Sequence, residues 1–225
     1  MNLTLDIGNT AIKWASFEGR TLVEQGYDLP TDKLTEAEAV LACASGKLPE
    51  TVYDIPMLSA ETSLPINLNY KTPETLGADR IAAACGAWSL HRGEACLVID
   101  AGTCITVDLV DGGGTYHGGA IMPGLQMNLQ ALHTFTAKLP LIDIAGVEKA
   151  PVLGRSTEES IVAGTLGATM LALAGYVALY REKSPKLHVL LTGGDAARLM
   201  AASATGWEHV PLLTMIGLNE ILMME

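Results

Sequence analysis

The stretch Leu97-Val98-Ile99-Asp100-Ala101-Gly102-Thr103-Cys104-Ile105-Thr106 decides how the chain is read. An apolar run ends on an acid, and a turn of small residues follows at once. Apolar residues then alternate with polar ones: Ile105, Val107 and Leu109, with Thr106 and Asp108 between them. This pattern predicts a buried strand, a tight turn and a second strand with one face in a core. An acid closing a buried strand ahead of a Gly-Thr turn suits a phosphate held together with a cation. The glycine lets backbone N–H groups approach the anion, the hydroxyl adds a donor, and the carboxylate holds the metal. Taken alone, the stretch is equally good chemistry for a plain hairpin.

The N-terminus repeats the grammar. Leu3-Thr4-Leu5-Asp6-Ile7-Gly8-Asn9-Thr10 is an apolar strand, an Asp, a spacer, a Gly and a Thr, and Ala11, Ile12, Trp14 and Ala15 open a second strand. Two Asp-ended hairpins from two halves predict a duplicated architecture with a nucleotide held between them.

Bulk properties narrow the function. A chain of 225 residues buries a sizeable core, and 49% hydrophobic content marks it as folded. A net charge of −11 repels phosphate backbones, so nucleic-acid binding is not expected as its activity. An anionic nucleotide needs local neutralisation here, by a cation and by backbone N–H groups. Cys43, Cys85, Cys96 and Cys104 lack Cys-x-x-Cys spacing and sit among small or apolar residues, which predicts buried, reduced thiols. The sequence shows no zinc-ligand spacing, no Gly-x-Ser-x-Gly elbow, no Walker loop and no Gly-x-Gly-x-x-Gly. No basic-then-apolar leader opens the chain, so a cytoplasmic location is expected. Ile161–Tyr180 has no charged residue and is long enough to span a bilayer, yet glycines and threonines interrupt it. The expectation is a buried helix and no membrane association. Its small-residue face (Gly164, Gly167, Ala168, Leu171) would pack on a second subunit.

Between the hairpins, Thr21–Tyr27 reads as a strand, 30–38 holds a short helix, and Ala39–Ala44 is a strand closed by Ser45-Gly46. Pro49–Tyr53 is expected as a short helix, Pro56–Ser59 as a short strand and Ile66–Tyr70 as an edge strand. Ile81–Leu90 is an Ala-rich helix with Asp79 and Arg80 at its start. Asp79 suits the helix dipole, but a cation at a helix N-terminus is unfavourable, so the Asp-Arg pair invites a functional reading. The polar break His91–Glu94 sets a domain boundary, giving halves 1–92 and 93–225. In the second half, Tyr116–Ile121 is a strand, Pro123-Gly124 opens a helix to about Ala137, and Ser156 or Thr157 caps the long apolar helix. Lys186–Thr192, Gly193-Gly194 and a helix from Asp195 or Ala196 form a further strand, glycine turn and helix start. Trp207–Pro211 and Thr214–Met223 close the chain as strand and helix.

The loops Asp6–Thr10, Asp100–Thr103 and Thr192–Gly194, in that order, resemble the actin-like ATPase and sugar kinase superfamily. The intervening motifs narrow this. Asp-Ile-Gly-Asn-Thr-Ala-Ile-Lys (Asp6–Lys13), Gly-Ala-Asp-Arg (Gly77–Arg80), Asp-Ala-Gly-Thr-Cys-Ile-Thr (Asp100–Thr106) and Gly-Gly-Ala-Ile-Met-Pro-Gly-Leu (Gly118–Leu125) are similar to the signature of type III pantothenate kinases. The resemblance implies an α/β chain of two ribonuclease-H-like domains clamping ATP, with pantothenate phosphorylated to 4′-phosphopantothenate in the first step of coenzyme A synthesis. It implies that Asp6, Ile7, Gly8, Asn9, Thr10, Ala11, Ile12 and Lys13 form the first phosphate loop and that Thr103 touches ATP. Asp79 would be the base. Gly77, Ala78, Asp79 and Arg80 would bind pantothenate, with Tyr70 and Thr157 helping. Asp100 would hold a monovalent cation, K+ or NH4+, beside the Mg2+ that accompanies ATP. It further implies a homodimer. Lys13 and Arg80 are the basic residues within these motifs and hence the candidates for phosphate or carboxylate contacts. Ser156-Thr157 departs from a more usual Asn-Thr pair, and the segment between Thr21 and Tyr70 is compact. Two alternatives stand beside this reading: another small-molecule kinase of the superfamily, and a non-catalytic ATP-binding regulatory module.

Overall fold

The computed structural model describes residues 1–46, 52, 54–59, 61–147, 149–202 and 206–224. They form two compact units. Met1–Cys96, Asp108–Gly118 and Leu212–Glu225 make the first; Leu97–Val107 and Gly119–Pro211 make the second. The passage at 96/97 lies close to the expected boundary, but the chain returns to the first unit twice.

In the first unit, β1 (Asn2–Ile7), β2 (Ile12–Glu18), β3 (Thr21–Tyr27) and β4 (Ala39–Ala44) form a sheet of order β3-β2-β1-β4, and α1 (Thr31–Glu36) joins β3 to β4. β1 is antiparallel to β2 and parallel to β4. Leu3, Leu5, Ile7, Trp14 and Ala42 pack together in one core cluster, and Ala15 and Phe17 pack with Met215 in another. Both clusters draw on strands that are central and apolar, as buried strands are. Met215 belongs to α7 (Leu213–Leu222), which packs on α2 (Ala78–Leu90). A Cβ on Gly217 would strike the Ala82 carbonyl, and one on Gly86 would strike that of Leu213. The two helices therefore cross closely because both contact positions are glycine. The polar side of α7 binds the N-terminal hairpin. Asn219 donates to the Gly19 carbonyl (2.8 Å), and buried Glu220 accepts from Arg20 (2.6 Å). These contacts bring residues 212–225 back to the first unit.

β6 (Cys96–Ala101), β7 (Cys104–Val110), β8 (Thr115–Pro123), β9 (His188–Thr192) and β10 (Trp207–His209) run in the order β10-β9-β6-β7-β8, with β5 (Asn67–Leu68) at the edge beside β8. The order β8-β7-β6-β9 repeats β3-β2-β1-β4 of the first sheet. In each set a hairpin partner flanks the first strand on one side, and a strand reached through helix flanks it on the other. This bears out the duplication expected from the two Asp-ended hairpins. Leu97, Ile99, Ile105, Leu190 and Leu191 are fully buried.

Several elements differ in extent from expectation. α3 (Leu125–Thr134) stops before Ala137, leaving Phe135 86% exposed. The expected edge strand Ile66–Tyr70 is a strand only at Asn67–Leu68, with Asn69 N–H also donating to the Tyr116 carbonyl (2.9 Å). Pro56–Ser59 makes a single bridge, Ala42 to Met57. Of the expected helix Pro49–Tyr53, only Val52 lies within the described residues. α4 (Thr157–Val162), a π-helical turn (Ala163–Gly167) and α5 (Ala168–Lys183) continue one another, and α6 (Ala196–Ala202) follows β9. The stretch Thr157–Lys183 is long and apolar enough to cross a membrane, with 39% of its most apolar window buried. One side of it is buried within the chain and the other is exposed. Ile161, Leu166, Leu173 and Val177 are buried, whereas Leu171 and Leu179 are exposed.

Candidate active site

In the first unit Asp6 is the next-to-last residue of β1, half-buried, with Lys13 opposite it on β2 and Cys43 opposite it on β4. Gly8 N–H donates to the Ala11 carbonyl (3.1 Å) and tightens the hairpin, leaving Asn9, Thr10 and Ala11 exposed at its tip. The chain after β4 lies on this loop, since Ser45 and Gly46 N–H groups both donate to the Ile7 carbonyl (3.1 and 3.2 Å). A Cβ on Gly46 would stand 2.6 Å from the Gly8 oxygen, so only glycine fits there. The Asp6 carboxyl is held above its ordinary range. Burial is the main cause and the nearby Asp79 adds to it, while Lys13 and the Cys43 thiol (Sγ to Oδ1, 3.7 Å) oppose it.

Asp79 lies in the first turn of α2, half-buried, and its Oδ1 accepts from Arg80 N–H (2.9 Å). The helix N-cap is Gly77, which has no side chain to cap with. A Cβ there would come within 2.5 Å of Asp79 Oδ1. Gly77 thus gives the carboxylate its room, and half-buried Ala78 packs on the adjoining core. Asp6 thus stands in the field of both Lys13 and Asp79.

The guanidinium of Arg80 is not an open anion contact, which corrects the expectation for that residue. It is 8% exposed, and Nε and Nη2 donate to the two oxygens of Asp108 (3.1 and 2.5 Å). The Tyr116 hydroxyl donates to the same carboxylate (2.7 Å). Burial works against the charge on Arg80, and the hydrogen bonds and charge of Asp108 outweigh it, so the guanidinium pKa is raised. Burial pushes the Tyr116 phenol up, and the charge of Asp108 adds to the shift. Asp108 stood in the sequence as a member of the polar face of β7, yet it is 1% exposed. Tyr70 meets Tyr116 ring to ring, centroids 6.0 Å apart and tilted by 56°. Tyr70 also lies against Gly118, in the left-handed region (φ +81°), where a Cβ would stand 3.1 Å from the Tyr70 ring.

In the second unit the Asp100 loop is cradled by two glycines. Gly124 N–H donates to the Thr103 carbonyl (3.0 Å), and a Cβ on Gly124 would strike the Gly102 and Thr103 carbonyls. Gly193 (φ +94°) follows β9, and a Cβ there would stand 2.5 Å from Asp100 Oδ1 and from the Ala101 oxygen. Asp195 N–H donates to that same oxygen (2.9 Å). Gly193 thus lies on the Asp100 loop as Gly46 lies on the Asp6 loop, a second sign of the duplication. Thr103 and Cys104 are exposed at the tip, so Cys104 is not the buried thiol expected, whereas Cys43, Cys85 and Cys96 are.

The cap of α4 is Ser156, whose Oγ accepts from Glu159 N–H (3.1 Å), and Glu159 reaches back to Arg155 N–H (2.6 Å). Thr157 is thereby released from capping. It is exposed in an open groove of about 770 Å3, lined also by Leu132, Leu139, Arg155 and Ile161.

Two sheets of repeated order, each with an acid-ended strand and a glycine-built loop, define the class: a duplicated α/β fold of the actin-like ATPase and sugar kinase type. Solved structures agree on the fold. One is a protein assigned to the Baf family of transcriptional activators from Campylobacter jejuni (TM-score 0.64, 20% identity, 99% of this chain and 98% of that one). Another is assigned as a 2-dehydro-3-deoxygalactonokinase from Sinorhizobium meliloti (TM-score 0.58, 12% identity, 98% of each). Sequence comparison is narrower. The family described as type III pantothenate kinase matches residues 52–179, which take in Tyr70, Gly77–Arg80, Asp100, Thr103 and Thr157. The type III pantothenate kinase of Bacteroides fragilis is 42% identical over 211 residues, covering 87% of this chain and 86% of its own. That of Cytophaga hutchinsonii is 36% identical, covering 99% and 98%. The chain belongs to the type III pantothenate kinase family.

Proposed function

We propose that the protein transfers the γ-phosphoryl group of ATP to the primary hydroxyl of pantothenate, giving 4′-phosphopantothenate at the entry to coenzyme A synthesis. What supports this reading is membership of the type III pantothenate kinase family, together with Asp79 in the first turn of α2 beside its Gly77 cap. Phosphoryl transfer depends on positioning and charge neutralisation more than on covalent chemistry by the protein.

In this reading Asp6–Lys13 receives the phosphates through backbone N–H groups and the Lys13 ammonium. Asp79 accepts the proton of the attacking hydroxyl, with room made by Gly77. Gly77–Arg80, Tyr70 and Thr157 bind pantothenate. Thr103 contacts ATP, and Asp100 holds K+ or NH4+. Mg2+ takes carboxylate oxygen, and Asp6 is the carboxylate beside the phosphate loop, so Asp6 is the residue assigned to it. When bound with ATP, Mg2+ offsets charge on the phosphates. The protein works in the cytoplasm as a homodimer. The exposed residues Gly164, Ala168, Leu171, Gly175 and Leu179 recur three or four apart on one helix, a stripe suited to a second copy of the chain.

Purified protein given ATP, Mg2+ and K+ is expected to phosphorylate pantothenate. Turnover on a hexose with none on pantothenate would move the assignment to another small-molecule kinase. ATP binding without turnover on either would favour a regulatory module.

A further inference from the structure

Asp108 has no part in the roles above, yet it lies at the centre of the residues assigned to pantothenate. A fully buried carboxylate is costly unless paired and hydrogen-bonded. Here both oxygens are used: Oδ2 by Arg80 Nε (3.1 Å), Oδ1 by Arg80 Nη2 (2.5 Å) and by the Tyr116 hydroxyl (2.7 Å). The fork fixes the guanidinium in plane and direction, as bidentate arginine–carboxylate pairs do. Arg80 follows Asp79 directly, and its N–H binds the Asp79 carboxylate, so holding Arg80 also holds the first turn of α2. Tyr116 carries the constraint across the sheet, its ring tilted against Tyr70 with centroids 6.0 Å apart. Tyr70 in turn rests on Gly118, where a side chain would intrude.

We infer that Asp108 is the positioning residue of the acceptor pocket: through Arg80 on one side and Tyr116 on the other, it sets the geometry in which the acceptor alcohol is bound. The same pairing leaves Arg80 without net charge to spend on a ligand carboxylate. Arg80 then serves the acceptor through its fixed geometry. The inference rests on the pantothenate reading above.

The test separates positioning from mere stability. In Asp108→Asn the shape is kept and the fork is lost. The KM for pantothenate is expected to rise about 10- to 100-fold, as loss of one buried charge-assisted contact does, while the KM for ATP stays within about twofold. Tyr116→Phe keeps the ring and removes one bond, so a rise of about three- to tenfold in the same KM is expected. A folded Asp108→Asn protein with an unchanged pantothenate KM, or with both KM values raised alike, overturns the inference. If Asp108→Asn does not fold, an unchanged pantothenate KM in Tyr116→Phe overturns it instead. Failure of the wild-type protein to phosphorylate pantothenate at all is the distinct result that removes the pantothenate reading, and the inference with it.

Discussion

The carboxylates of Asp6 and Asp79 stand in one another's field, on β1 and at the start of α2, with Lys13 the opposing charge across the hairpin. The Asp6 carboxyl is raised above its ordinary value, chiefly by burial, with the charge of Asp79 adding to it. The arrangement is poor for stability.

Because the folded chain favours protonated Asp6, that stabilisation is complete below the ordinary value of 3.8 and is lost as pH rises through the raised one. Asp6→Asn removes the penalty. At pH 7 the ligand-free variant is expected to melt above the wild type, while turnover falls by at least about 100-fold. Thermal melts with and without Mg-ATP check this: the ligand should raise the wild-type Tm and leave the variant's nearly unmoved. A variant that melts lower and still turns over would contradict the placement of Asp6.

Cys104 adjoins Thr103 at the exposed tip of the second loop, while Cys43, Cys85 and Cys96 are buried. A maleimide is therefore expected to label one thiol in the native protein, and ATP is expected to slow that labelling. Mass spectrometry of the labelled peptide reads it out. Equal rates with and without ATP would argue against nucleotide contact at Thr103.

Gly217 meets the Ala82 carbonyl where α7 crosses α2. Gly217→Ala forces the helices apart and is expected to cost about 3 kcal/mol, as overpacking in a tight core does. Urea unfolding measures it. A variant as stable as the wild type would mean that the crossing adjusts freely.

Leu171 is 75% exposed and Leu179 60% exposed on the long helix. Leu171→Lys with Leu179→Lys is expected to convert a two-chain species into a single chain in light scattering, with secondary structure retained. An unchanged mass would place the subunit contact on another face.

The duplicated fold was legible because each half announces itself locally: an apolar strand, an acid, a glycine and a threonine lie within ten residues. The glycines that cradle the loops were visible as residues but not as contacts, since Gly46 and Gly193 meet their loops only through strand pairing. Arg80 looked like an unexplained cation at a helix start. Its partner lies 28 residues away, in a strand whose alternation marked Asp108 as solvent-facing. Period-two patterning reports which face a residue is on, not whether a second layer covers that face. Likewise the sequence left two candidates for the α4 cap. Only the hydrogen bond from Glu159 N–H to Ser156 Oγ shows that Ser156, not Thr157, is the cap.

The most direct test of the account is Asp79→Asn, assayed for 4′-phosphopantothenate by mass spectrometry alongside ATP binding by calorimetry. The cap of α2 is Gly77, so the variant is expected to fold. Its ATP affinity should stay within about threefold of the wild type while kcat falls by about 100- to 10,000-fold, the range for loss of a general base. A folded, ATP-binding variant that still phosphorylates pantothenate at the wild-type rate would contradict the central claim.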